Sequence, residues 1–187
     1  MQKLASSKKF LVPTATLLLL GIVTTFMEGC AKIPLSYSPG SVRKASGSVS
    51  ISGFKYLPSE TGKVKPFQIY NTTLGNLKFD TNIDIFFSDA VSTELRFVGV
   101  KLDDKTRILS GEIEDFHIDD LSYNVDWTLK VTYLIKNLKT GEVIYTSTKI
   151  TQRKASKLVN ISSALNEMIK LNIEELLKNE AFIKTIN

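Results

Sequence analysis

The sequence predicts one α+β domain, ordered β-α-β-β-β-α, in which an antiparallel meander carries two helices on one face. Three observations predict it. Val125, Trp127, Leu129, Val131, Tyr133 and Ile135 alternate with Asp126, Thr128, Lys130, Thr132, Leu134 and Lys136. That period of two marks a strand with one buried and one wet face. Ile83, Phe86, Phe87, Ala90, Val91, Leu95 and Val98 recur at helical spacing. Ile161, Leu165, Met168, Ile169, Ile173, Leu176 and Leu177 do the same near the C-terminus.

The elements follow in chain order. Val49, Ile51, Phe54 and Tyr56 predict a first strand with a slip at Gly53, where a bulge resets the faces. Pro58 ends it, and 59–67 reads as a polar loop. The first helix covers 82–98, with Thr81 or Asn82 at its start and Gly99 at its end. Its Phe86/Phe87 stripe reads as core; the alternative is an apolar groove that carries a lipid-like ligand. Residues 106–118 alternate as a strand, with Gly111 expected as a bulge. Residues 137–141 form a hairpin turn in which Gly141 supplies the positive φ. The partner strand is 142–152, rich in Val, Ile, Tyr and Thr. The last helix is expected over 162–178, capped by Ser162 or Ser163. Phe182, Ile183 and Ile186 then fold back on the core.

Composition bounds the chemistry. The chain has 187 residues, 43% hydrophobic and 23% charged, enough for a single packed domain. One Cys and one His exclude a disulfide within one copy and a Cys/His zinc cluster, so no cofactor or metal is expected. The net charge is +5, but the lysines are scattered rather than aligned in a stripe, and no nucleic-acid partner is expected.

The first 47 residues read as an address and a tether. Lys3, Lys8 and Lys9 precede an uncharged run from 10 to 27 that holds four leucines at 17–20. A basic start, an apolar stretch and a small residue at the end define a secretory signal over 1–29. Gly29 and Cys30 follow, and the sequence resembles the lipobox of bacterial lipoproteins, in which the Cys becomes a lipidated N-terminus. Acyl chains contribute about 0.8 kcal/mol per buried methylene, and two or more anchor a protein stably. By the same resemblance, Ala31 rather than Asp after the Cys directs the protein to the outer membrane, facing the periplasm. Residues 30–47 hold Pro34, Pro39, Gly40 and Gly47 among Ser and Tyr, the composition of a flexible tether. The folded domain is then 48–187.

One histidine invites a test for chemistry. On a strand, Asp115, His117 and Asp119 share a face, an arrangement able to transfer protons or hold a metal weakly. The plainer reading is a solvated strand end. Asp103-Asp104 and Asp119-Asp120 read as turn formers rather than a glycosidase couple.

Gly29-Cys30-Ala31-Lys32, the alternating strand 123–136, and Asn160-Ile161, Ala164-Leu165-Asn166, Met168-Ile169 and Ile173 form a pattern that resembles the YajG family of bacterial lipoproteins. It implies an outer-membrane-anchored periplasmic lipoprotein with a small α/β fold and no established catalytic residues. The expected function is therefore non-catalytic: a binding or accessory module in transport, assembly or cell-wall work. Its expected partners are the membrane, through Cys30, and an envelope protein or peptidoglycan. The alternative is a small hydrolase or transferase on cell-wall fragments, centred on Asp115 and His117.

Overall fold

Strand β5 (Asn124–Asn137) is the spine of the molecule. Its odd residues, from Val125 to Ile135, are buried, and its even residues face the other way. A computed structural model describes residues 32–187. The remaining elements are β1 (Ser50–Tyr56), α1 (Leu57–Glu60), β2 (Gln68–Asn71), β3 (Leu77–Lys78), α2 (Ile83–Val98), β4 (Arg107–Asp119), β6 (Val143–Ser156), α3 (Ile161–Leu177) and α4 (Glu180–Ile186). The expected signal over 1–29 and the expected lipid site at Cys30 lie outside the described residues.

The α+β layering stands, and β4, β5 and β6 form the expected antiparallel meander. The sheet is nevertheless mixed and six-stranded, ordered β3-β2-β4-β5-β6 with β1 also on β4. β1 runs parallel to the first half of β4, and β2 runs parallel to its end, with Tyr70 opposite His117. The reason is connectivity. The helix over 83–98 returns the chain from the far end of β1 and β2 to the start of β4, so β4 runs parallel to both. The short strands β2 and β3, and the single turn α1, were not expected from the sequence; the predicted loop 59–67 is α1's end and the turn that follows it.

Both long helices pack on one face, as expected. The Tyr133 ring meets Phe87 of α2 at 6.3 Å, and its hydroxyl donates to Asn172 Oδ1 of α3 at 2.8 Å. Phe54 stacks edge-on against Phe87 at 5.0 Å and Tyr133 at 5.7 Å. This aromatic knot fills the space between α2 and the sheet, which corrects the ligand-groove alternative: Phe87 is wholly buried among core neighbours. Gly111 explains how Phe54 fits. A Cβ there would strike the Phe54 ring and the Thr132 carbonyl. Gly111 is thus a close-approach position in regular pairing with Tyr133, not the bulge expected; β4 bulges between Ile113 and Asp115 instead. The β1 irregularity falls between Ile51 and Phe54, where Gly53 predicts it.

Helix ends follow their chemistry. Gly99 closes α2 in the left-handed region, φ 110°. Asn160, not Ser162 or Ser163, caps α3: its Oδ1 accepts from Ser163 N at 3.0 Å. Asn side chains reach the N3 amide as well as Ser does, and Asn160 holds the position just outside the helix. Asn179 caps α4 in the same way, and Phe182 and Ile186 fold back into the core.

The expected tether is not loose where it is described. Ile33, Leu35 and Tyr37 pack against the core, and Ile33 bridges Phe79 in parallel. The buried Glu94 of α2 clamps the segment: it accepts from Tyr37 Oη at 2.5 Å and Ser41 N at 2.6 Å. Ala45 N donates to Val98 O, and Ser48 N to Ile186 O. Residues 33–47 form an ordered strap, because a buried carboxylate gives its backbone and phenol donors somewhere to go.

Candidate functional site

α2, α3 and α4 cover one face of the sheet and leave the other to solvent. The open face carries Asp115, His117 and Asp119 of β4, the even residues of β5, and the exposed even residues of β6. Two shallow clefts meet there. One, about 530 Å³, lies under the α1 turn and is lined by Pro58, Lys63, Glu114, Asp115 and Lys130. The other, about 450 Å³, is lined by His117, Asp119, Asp126, Gln152 and Lys154.

The structure brings Asp115 and His117 into contact and keeps Asp119 on the same face, lining the second cleft with His117 but bonded elsewhere. His117 Nδ1 lies 2.8 Å from Asp115 Oδ2, and each side chain is about a third exposed. Asp119 Oδ1 instead accepts from Thr72 Oγ1 at 3.0 Å and from Leu121 N. The same-face rule for a strand placed all three correctly, but a loop hydroxyl captured the third. With Nδ1 engaged by Asp115, Nε2 is the remaining hydrogen-bonding nitrogen of His117, a residue that lines the second cleft.

Beside this pair, Glu114 Oε2 meets Lys130 Nζ at 2.6 Å, and Glu114 Oε1 accepts from Thr132 Oγ1. The hydrogen bond from Lys130, then that from Thr132, holds the Glu114 carboxyl below its ordinary pKa. Glu114 sits at the β4 bulge, which is what aims it at β5. The face therefore presents fixed, ionised groups, suited to orienting a polar partner. Among the described residues, no group of three or more His, Cys, Asp or Glu side chains is arranged to hold a metal ion.

The acidic pairs are structural. Asp104 Oδ1 accepts from the amide and hydroxyl of Thr106, and its Oδ2 from Arg107 Nε and Ser48 Oγ. Burial alone raises the Asp104 pKa; the bonds from Thr106, Ser48 and Arg107 outweigh it and hold the carboxyl far below the carboxylate range. Asp120 meets Lys157 at 2.9 Å. Glu94 and Asn172, the wholly buried polar residues of the two long helices, were not expected from the sequence. Asn172 Nδ2 donates to Thr151 Oγ1 at 3.0 Å and to the Lys149 carbonyl. Each lies one turn from apolar neighbours (Ala90 and Val98; Met168 and Leu176), so a polar residue on an apolar stripe was the available signal.

No family model matches this chain, and no curated protein matches it. The fold does have solved relatives in shape. It is similar to protein XCC0632 of Xanthomonas campestris, of family DUF330, at TM-score 0.65 and 10% identity over 83% of this chain and 97% of that one. It is similar to the hypothetical protein CT253 of Chlamydia trachomatis at TM-score 0.54 and 12% identity, over 76% and 100% of the two chains. A looser likeness, TM-score 0.34 and 6% identity over 71% and 99%, reaches the lipoprotein GNA1162 of Neisseria meningitidis. Among the described residues, no helix is long and apolar enough to cross a membrane.

Proposed function

We propose that this chain is a lipid-anchored, non-catalytic binding module of the bacterial envelope, held at Cys30 in the outer membrane and facing the periplasm. The observation that carries the binding role is the one-sided sheet. Three helices are stacked on one face, while the other presents two polar clefts that meet at the Asp115–His117 pair. An antiparallel layer can leave one face wet, and this one is furnished with oriented charges. The anchor reading is supported by Gly29-Cys30-Ala31 after an apolar run. The partner is a polar envelope ligand, either a protein or peptidoglycan.

The full chain, purified from membranes, is tested for retention of solubilised envelope proteins and isolated cell-wall sacculi. Thr128→Arg, in the middle of the open face, is expected to lower retention by tenfold or more, about the effect of disrupting an interface centre. Retention that is absent, or unchanged by Thr128→Arg, sinks the reading. A second reading is favoured by one observation: the 2.8 Å Asp115–His117 pair at the junction of the clefts could serve a hydrolase or transferase of wall fragments. Muropeptide turnover that disappears in His117→Ala, with the fold intact, selects that enzyme; unchanged turnover selects the binding module.

A further inference from the structure

One end of the sheet carries an unusual concentration of exposed apolar side chains. Three loops meet there: 72–76 after β2, 120–123 after β4, and 157–160 after β6. Leu74 is 70% exposed, Leu121 77%, Tyr123 97% and Leu158 95%. Single exposed apolar residues are ordinary, but a cluster marks an interaction surface.

The cluster is held in place rather than left to drift. Asp120 ties the three loops together. Its carbonyl accepts from Thr73 Oγ1 at 2.9 Å, its amide donates to Thr72 Oγ1 at 2.9 Å, and its carboxylate meets Lys157 at 2.9 Å. A small cavity of about 60 Å³ lies just beneath, lined by Leu74, Leu77, Ile118, Trp127 and Val159. Polar bonds thus fix the loop backbones while the apolar side chains point outward.

The course of the chain says what covers this crown. Ile33 bridges Phe79 in parallel, and its amide donates to Lys78 O. β3 descends from the 72–76 loop, so the strap beside it runs from the crown end toward the opposite end, where Ser48 meets Ile186. Pro34 O accepts from Ser162 Oγ, on the first turn of α3 beneath the 157–160 loop. Read backward from Pro34, Ile33 and Lys32 run toward the crown end. Only Ala31 separates Lys32 from Cys30.

We infer that the crown of Leu74, Leu121, Tyr123 and Leu158 is a lipid-contact surface, seated in the headgroup region of the membrane that holds the chain. A Tyr and three Leu at one tip match the amphipathic and apolar side chains that settle at that depth. Strap and crown together fix the orientation: the crown faces the lipid, and the 137–141 turn at the far end points away. The inference rests on the anchor reading, which is what places a membrane beside the crown.

The test uses the full chain from membranes, reconstituted into vesicles of phosphatidylethanolamine and phosphatidylglycerol with brominated acyl chains. Trp127 is the sole tryptophan and stays in place. Leu158→Trp reports on the crown, and Thr140→Trp on the far turn; both positions are exposed. The added emission of Leu158→Trp is expected to fall about twofold or more, as insertion of about 5–10 Å brings it beside the bromines. That of Thr140→Trp is expected to be unchanged. Equal quenching of both, or of neither, overturns the inference, and so does a crown that stays unquenched while cross-linking to an envelope protein. The mass of the mature chain reads acylation of Cys30 separately. An unacylated chain whose Leu158→Trp is still quenched keeps the lipid-contact surface and removes the anchor; an acylated chain whose Leu158→Trp is unquenched does the reverse.

Discussion

The two ends of the sheet solve opposite problems. At the end where β4 begins, polar groups are sewn shut: Asp104 binds Thr106, Arg107 and Ser48, and Arg107 Nη1 donates to Thr185 O at 2.6 Å. This knot joins the start of β1, the start of β4 and the end of α4. At the other end, Asp120 also ties loops together, but what those loops display is Leu121, Tyr123 and Leu158. The comparison teaches that a carboxylate can serve as a rivet at both ends while the surface around it is set independently. The closed end shows half-exposed apolar side chains, Leu138, Val143 and Ile144, whereas Leu121, Tyr123 and Leu158 at the other are 77–97% exposed.

The sharpest way to break the comparison is at the closed end. Asp104→Ala leaves Arg107 partly buried without its carboxylate and strands the Thr106 amide, so it is expected to cost about 3 kcal/mol. Chemical denaturation of the variant beside the parent checks it. The pH dependence has a definite sign. The Asp104 pKa is depressed in the folded state, so its stabilisation is complete above the unfolded value of about 3.9 and drains away as pH falls toward the folded value. Asp104→Asn is therefore expected to lose less stability than the parent between pH 5 and pH 2, each judged against its own value at pH 7.

The strap links the two ends, and Glu94 holds it. Glu94→Ala strands the Tyr37 hydroxyl and the Ser41 amide, both with buried or half-buried surroundings. The expected cost is about 2 kcal/mol. Limited proteolysis should cut the variant within 33–47 well before the rest of the domain; cutting at the parent's rate would show that apolar packing of Ile33, Leu35 and Tyr37 alone secures the strap. At the crown end, Asn160→Ala removes the cap of α3 and is expected to cost about 1 kcal/mol, read as a fall in Tm.

These expectations also show what the sequence held. β5 was legible residue by residue, because its period of two is set by a single physical fact, one face in and one face out. α2 and α3 were legible for the matching reason at a period near 3.6. β2 and β3 were not: four and two residues cannot show a period, and β2 takes its strand character from β4 beside it and β3 from β2. The strap was misjudged because Pro and Gly outweighed the alternation of Ile33, Leu35 and Tyr37, and because its anchor, Glu94, lies 53 residues beyond Ser41. The Asp115–His117 pair could be read locally, since residues two apart on a strand share a face. The crown could not, because topology alone brings Leu74, Leu121 and Leu158 to one place.

The smallest expected effect is the one that separates stability from function. Leu121→Ser with Leu158→Ser removes apolar surface that already lies in solvent, so the folded domain loses almost no contacts. Such exposed positions usually shift stability by no more than about 0.5 kcal/mol. The midpoint of thermal unfolding should therefore stay with the parent, in contrast to Asp104→Ala and Glu94→Ala. A third substitution in this background, Tyr123→Trp at the crown, should then show weaker bromolipid quenching than Tyr123→Trp alone, because the two serines lift the tip from the acyl chains. If the double variant instead unfolds early, Leu121 and Leu158 are holding the loops together, and the crown is a piece of packing rather than a surface. A large loss of stability at this end would erase the contrast with the Asp104 knot, and an unchanged unfolding midpoint with a changed depth would establish it.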